Sequence, residues 1–164
     1  MTGRAAVVVV STQASADPSL DATGPVIARW LSARGFDVAE PAIVPDSGPI
    51  AETVVAAIAT GARVVITTGG TGVSPTDRTP EAVGPLLDLE IPGIVEEIRR
   101  RGSDVGPRSL LTRGVAGISQ GGAFVLTLPG SRGGVGDGLD VLDGVLDHIL
   151  AQLHGAGHDR RQSR

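Results

Sequence analysis

Residues 69–81 carry groups suited to holding an anion beside a carboxylate. They read Gly69-Gly70-Thr71-Gly72-Val73-Ser74-Pro75-Thr76-Asp77-Arg78-Thr79-Pro80-Glu81. Glycines admit positive φ and let a ligand approach the backbone with no Cβ in the way. Successive N–H groups in such a turn form a concave anion nest. Asp77 follows closely, and a carboxylate there would hold Mg²⁺ bridging phosphate oxygens, because Mg²⁺ takes one or two carboxylates plus water and phosphate. A tight strand-to-helix turn would use the same glycines for geometry alone. The pattern is not G-x-G-x-x-G, so a dinucleotide fingerprint is absent.

Other residues could join this chemistry. Asp46, in Val44-Pro45-Asp46-Ser47, is a second candidate Mg²⁺ ligand, or merely a cap on the helix that follows. Pro129-Gly130-Ser131 precedes the last helix, where a helix N-terminus favours an anion. Candidate phosphate contacts are therefore Thr68, Gly69, Gly70, Thr71, Gly72 and Ser74, with Ser11, Pro129, Gly130, Ser131 and Arg113 from other loops. His154 and His158 have i,i+4 spacing, but in a terminal, glycine-interrupted segment that makes a poor metal site.

Composition narrows the mechanism. The chain has 164 residues, fourteen arginines, no lysine and no cysteine. Schiff bases, thiolate nucleophiles and a Walker-type phosphate lysine are excluded. Side-chain contacts to phosphate must then come from arginine. A net charge of −4 and 2% aromatic residues argue against a nucleic-acid platform. The first apolar run, residues 5–10, is too short for a signal-peptide core or a membrane span, so a cytoplasmic location is expected.

The elements that must position these groups alternate between strand and helix. Strands are expected at 5–10, more weakly at 36–44 around Pro41, and at 64–67. Residues 115–119 and 123–128 read as a hairpin. Helices are expected at 24–34, 49–60, from Thr79 as N-cap to about Leu87, and at 92–101. Residues 107–112 suit a short helical turn, and 135–153 one long amphipathic helix. Residues 11–23 are expected to be a polar loop, and Arg99-Arg100-Arg101 a solvated cluster near a helix end. The result is an α/β protein, a three-layer αβα sandwich with a mostly parallel sheet. Residues 1–154 form one domain, and 155–164 a polar tail expected to fray. In such sheets ligands bind outside the carboxyl ends of the strands.

The motifs together resemble the MogA/MoaB family of molybdenum-cofactor biosynthesis, which includes the gephyrin G domain. Thr68 through Glu81 is similar to the family signature. Glu90-Ile91-Pro92-Gly93, Leu111-Thr112-Arg113 and Leu128-Pro129-Gly130-Ser131 resemble three further family motifs. The resemblance implies a molybdopterin adenylyltransferase, which transfers AMP from Mg-ATP to the molybdopterin phosphate and releases pyrophosphate. Asp46 and Asp77 match the family's two essential aspartates. A homotrimer, sometimes a hexamer, is implied, as is hand-over to a MoeA-type metal-insertion protein. The chain departs from the pattern at Ser11-Thr12-Gln13, where relatives commonly carry Ser-Asp-Arg, and at Arg132, where they carry proline. A non-catalytic molybdopterin-binding scaffold and a CinA-like nucleotide hydrolase are the alternatives.

Overall fold

Three largely buried strands form the centre of the molecule, and the parity of their side chains divides the core in two. The computed structural model describes residues 3–155. The expected frayed tail and His158 thus lie, from residue 156 on, outside the described residues. Strand β1 (Arg4–Val10), β4 (Ala62–Thr68) and β7 (Phe124–Leu128) lie side by side and parallel. Alternate residues of a strand point to opposite faces. Val7, Val9, Val64, Ile66, Phe124, Leu126 and Leu128 face one core, and Val8, Val10, Val65 and Val125 face the other.

The first core is covered by α2 (Gly24–Ala33), α5 (Pro92–Ser103), α6 (Arg132–Asp143) and α7 (Leu146–Leu153). The second is covered by α3 (Ile50–Ala59) and α4 (Thr79–Val83). The three-layer architecture is therefore the one expected. Gly138 lets α6 press on the sheet, since a Cβ there would stand 2.3 Å from Leu128 Cδ2. Arg34, the C-cap of α2, pairs with Asp143 of α6 and stacks on Trp30, with 3.6 Å from its guanidinium carbon to the ring centre.

Several expectations need correction. The weak strand is two short ones, β2 (Asp37–Val38) and β3 (Ala42–Val44), both paired parallel to β1. Pro41 lies in the gap and has no N–H for the ladder. An unforeseen strand, β5 (Leu87–Glu90), pairs antiparallel with β6 (Ala116–Ser119). Its pattern, Leu-Asp-Leu-Glu, is an apolar–polar alternation too brief to stand out beside a helix signal. The hairpin of β6 and β7 is present and antiparallel. The stretch after β1 is not all loop: it contains α1 (Thr12–Ala16) and a 3₁₀ turn (Pro18–Leu20). A 3₁₀ helix spans Pro107–Leu111, close to the expected turn.

The long final helix is broken. Gly144 caps α6, and α7 starts after Val145, which is partly exposed rather than on the apolar stripe. The break lets Leu142, Leu146 and Leu150 all reach the same core. The three arginines lie toward the C-terminal end of α5, as expected, but are partnered rather than simply solvated. Arg100 and Arg101 both pair with Glu97, and Arg99 Nε donates to the Thr112 carbonyl at 2.8 Å.

Leu142 is fully buried where α6 meets the sheet. Leu142→Ala is expected to lower the unfolding free energy by about 2–5 kcal/mol, from lost transfer energy and a residual cavity. Urea unfolding of the two proteins checks this.

Candidate functional site

Register brings the loops to one level. Val9 pairs with Thr68, Thr68 with Leu128, and Val10 with Val44. The carboxyl ends of β1, β3, β4 and β7 therefore open onto the same edge of the sheet. The loops expected to carry the site begin there.

The glycine turn after β4 is forced by its neighbours. Gly69 has φ +96° and Gly70 φ +67°, both in the left-handed region. A Cβ on Gly69 would lie 2.2 Å from the Val10 carbonyl oxygen. The turn is pinned on both sides: Gly69 N donates to Leu128 O at 3.0 Å, and Thr79 N donates to Gly70 O at 3.0 Å. Thr79 Oγ1 donates to Gly69 O at 2.8 Å. Thr79 was expected to cap α4. Instead Arg78 occupies the N-cap position without a side-chain bond, and the buried Thr79 hydroxyl holds the turn.

Asp46 reaches the same edge from β3. Its Oδ2 accepts from Thr12 N at 3.1 Å and from Thr12 Oγ1 at 2.6 Å, while Asp46 N donates back to Thr12 Oγ1 at 3.1 Å. Thr12 was not singled out from sequence. It lies 34 residues from its partner, and no local spacing announces the pair. Ser11 caps α1, its Oγ accepting from Ala14 N at 3.1 Å. Thr68 Oγ1 donates to Pro129 O at 2.9 Å and lies 3.3 Å from Thr23 Oγ1. Thr23 was likewise missed.

A cavity of about 710 Å³ lies over these strand ends, within the range of small-molecule sites. Ser11, Thr12, Asp21, Asp46, Thr68, Gly69, Gly70 and Gly130 line it. Pro129 and Ser131 instead line a neighbouring cavity of about 510 Å³, with Ser109, Thr112 and Asp137. The Pro129-Gly130-Ser131 turn is thus the wall between two cavities. Ser131 caps α6, its Oγ accepting from Gly134 N at 3.1 Å.

Thr71, Gly72, Ser74 and Asp77 belong to a separate loop, and Thr76 is its one residue on the larger cavity. Asp77 Oδ2 accepts from Ser74 N at 3.0 Å, and Asp77 N donates to Ser74 O at 2.9 Å. Arg113 was expected among the phosphate contacts. The structure places its guanidinium across this loop, with Nε donating to Gly72 O at 2.7 Å and an η nitrogen to Asp77 O at 3.0 Å. It also pairs with Glu81 of α4. That hydrogen bond holds the Glu81 carboxyl below its ordinary range. Thr71 Oγ1 and Thr112 Oγ1, both buried, stand 2.9 Å apart beneath the loop.

Each of the two carboxylates could serve as a donor to Mg²⁺, and Asp46 is the one that lines the larger cavity. Among the described residues, Oδ1 of Asp46 and Oδ1 of Asp77 accept no hydrogen bond, so each carboxylate keeps an oxygen for a hard cation. No cluster of three or more His, Cys, Asp or Glu suited to a metal occurs among the described residues. Two carboxylates and a phosphate-bearing ligand are the sparse arrangement Mg²⁺ favours. Among those residues, too, no helix is long and apolar enough to cross a membrane.

An α/β domain with a glycine turn, a carboxylate on the cavity beside it and paired cavities at its strand ends is of the anion-binding class. Comparison with known proteins makes this specific. Residues 6–148 match the family described as "Probable molybdopterin binding domain". The molybdenum cofactor biosynthesis bifunctional protein of Synechococcus elongatus is 39% identical over 94% of this chain, which spans about half (48%) of that protein. The molybdopterin adenylyltransferase of Pyrococcus furiosus is 36% identical, with 88% of this chain and 87% of that protein covered. A solved structure of MogA superposes with a TM-score of 0.87 at 48% identity, covering 92% of this chain and 99% of the other. A CinA protein from Thermoplasma acidophilum, at 18% identity and TM-score 0.61, shares the fold alone. The chain belongs to the molybdopterin-binding domain family of molybdenum-cofactor biosynthesis, with MogA and MoaB.

Two expectations follow from this geometry. Gly69→Ala is expected to cost more than about 1 kcal/mol, since Ala at positive φ is strained even before its Cβ meets the Val10 carbonyl. Denaturant midpoints measure it. The Arg113–Glu81 pair gives a pH signature. Because the folded Glu81 pKa is lowered, the contribution is complete above the unfolded value of 4.5 and fades as pH falls through the lowered one. The stability gap between wild type and Glu81→Gln should therefore be level near neutrality and shrink below pH 4.5; a gap that widens in acid contradicts it.

Proposed function

We propose that the protein is a molybdopterin adenylyltransferase, moving AMP from Mg-ATP to the molybdopterin phosphate and releasing pyrophosphate. The observation that carries this is the left-handed Gly69–Gly70 turn, opening into the cavity that Asp46 also lines. A second cavity behind Pro129-Gly130-Ser131 supports a reaction with two substrates.

Adenylyl transfer asks a protein for positioning and charge stabilisation rather than for a nucleophilic side chain. The molybdopterin phosphate brings its own nucleophilic oxygen. The backbone amide of Gly70 orients phosphate oxygens, with the hydroxyls of Ser11 and Ser131 at adjacent strand ends, while the Gly69 amide is spent on the Leu128 carbonyl. Asp46 and Asp77 would hold Mg²⁺, which would supply positive charge to offset that of the phosphates. Thr12 orients the Asp46 carboxylate through its reciprocal hydrogen bonds. Arg113 fixes the Gly72 and Asp77 carbonyls, and so sets where the Asp77 carboxylate stands. The absence of lysine and cysteine removes nothing that this chemistry needs. The proposal includes a cytoplasmic homotrimer that passes its product to a MoeA-type metal-insertion protein.

A non-catalytic molybdopterin-binding role is the second reading. It is favoured by Thr12, which engages Asp46 in a loop that departs from Ser-Asp-Arg.

Incubating purified protein with molybdopterin, ATP and Mg²⁺ separates the two. The enzyme yields adenylylated molybdopterin and pyrophosphate in equal amounts, whereas the scaffold binds the pterin and releases no pyrophosphate. Asp77→Asn is expected to keep its circular dichroism and melting temperature while turnover drops by at least about two orders of magnitude, the scale of a lost electrostatic contact to the transition state. Unimpaired turnover by that variant would remove Asp77 from the mechanism.

A further inference from the structure

Arginines in the described residues are commonly matched to acids. Arg4, Arg34, Arg100, Arg101 and Arg113 each pair with an aspartate or glutamate. The exposed side chains of Arg29, Arg78, Arg108 and Arg132 have no ion pair or hydrogen bond to a described residue, and of these Arg29 and Arg132 come together. Arg29 projects from α2, and Arg132 is the first residue of α6. They line one cleft of about 330 Å³, and no acid lines it.

This concentration of charge is unfavourable without a ligand. Two cations share an acid-free cleft on a chain of net charge −4. Arg132 also stands at the positive end of a helix, where a cation is disfavoured. An anion between the two guanidiniums relieves both terms, and the planar fork of arginine matches phosphate oxygens bidentately.

Position suggests which anion. Ala22 and Thr23 line this cleft and the 710 Å³ cavity alike, so the two spaces abut across that short segment. Thr23 Oγ1 is 3.3 Å from Thr68 Oγ1, on the residue just before the glycine turn. A polyphosphate chain that starts at the turn and passes the Ala22–Thr23 segment meets Arg29 and Arg132 next.

We propose, building on the adenylyl-transfer reading, that the Arg29–Arg132 cleft binds the β- and γ-phosphates of ATP and holds them as they leave. In that step an oxygen of the molybdopterin phosphate forms a bond to the α-phosphorus. The bond from the α-phosphorus to the bridging oxygen breaks, and its electron pair stays on the departing pyrophosphate. No proton need move. The two guanidiniums meet the negative charge that grows on the leaving group. Lysine-free chemistry is thereby completed with a cationic leaving-group site.

Calorimetric titration of the protein with ATP, AMP and inorganic pyrophosphate, at fixed ionic strength and without molybdopterin, tests this. The variants are Arg29→Ala, Arg132→Ala and the double substitution, with Arg4→Ala, at the amino end of β1, as the control for lost net charge. The double variant is expected to keep its melting temperature and bind ATP and pyrophosphate about tenfold or more weakly, with AMP unchanged, as loss of charge-assisted contacts requires. Undiminished binding of ATP and pyrophosphate overturns the proposal. So does an equal loss for AMP, a matching loss in Arg4→Ala, or wild-type protein that takes up neither polyphosphate. Because molybdopterin is absent, a chain that shows the expected pattern yet makes no adenylylated product refutes the enzyme reading and leaves the phosphate cleft standing.

Discussion

The parallel register of β1, β4 and β7 governs everything that happens at the strand ends. Val9 opposite Thr68, and Thr68 opposite Leu128, stop three strands at one height. The chain leaving β4 must then turn within the space left by the Val10 carbonyl. Only a residue without a Cβ fits there, and only a left-handed backbone clears it. The direction of the turn's amides thus follows from packing between strands. Once that turn is set, Thr79 locks it from below through two hydrogen bonds, and α4 starts where the lock is made.

Charge is handled in two ways around this frame. Where an arginine has to hold backbone, an acid holds the arginine: Glu81 anchors Arg113 over the Gly72 and Asp77 carbonyls. The loop bearing Asp77 is therefore tied to α4 and to the segment before β6, and not to its own neighbours alone. Where the cleft beside α2 has no acid, the guanidiniums face solvent. A composition with arginine and no lysine makes this division visible, because each cation carries a planar fork that either finds its partners or leaves them unfilled.

The chain announces the core strands, the glycine turn and the layer order clearly, since each is written in contiguous residues. Residues 5–10 are apolar without a break, and such a run has few homes other than a central parallel strand. The family resemblance also follows from local strings. What escapes is long-range. Thr12 meeting Asp46, Thr23 beside Thr68, and Arg113 clamping a loop 36 to 41 residues away leave no trace in periodicity. Strand β5 escapes for a different reason: four residues, three of them exposed, gain their identity from β6, not from their own propensity. The final helix is misjudged because its apolar spacing continues through Gly144 and Val145, where the backbone breaks so that α6 and α7 both reach one core.

The close contact at Gly130 has a consequence of its own. A side chain there would bring a Cβ to 3.3 Å from Gly69 Cα, so the loop after β7 lies directly on the backbone of the glycine turn. A larger residue at 130 would press on that turn, so a change in the loop after β7 is felt at the backbone after β4.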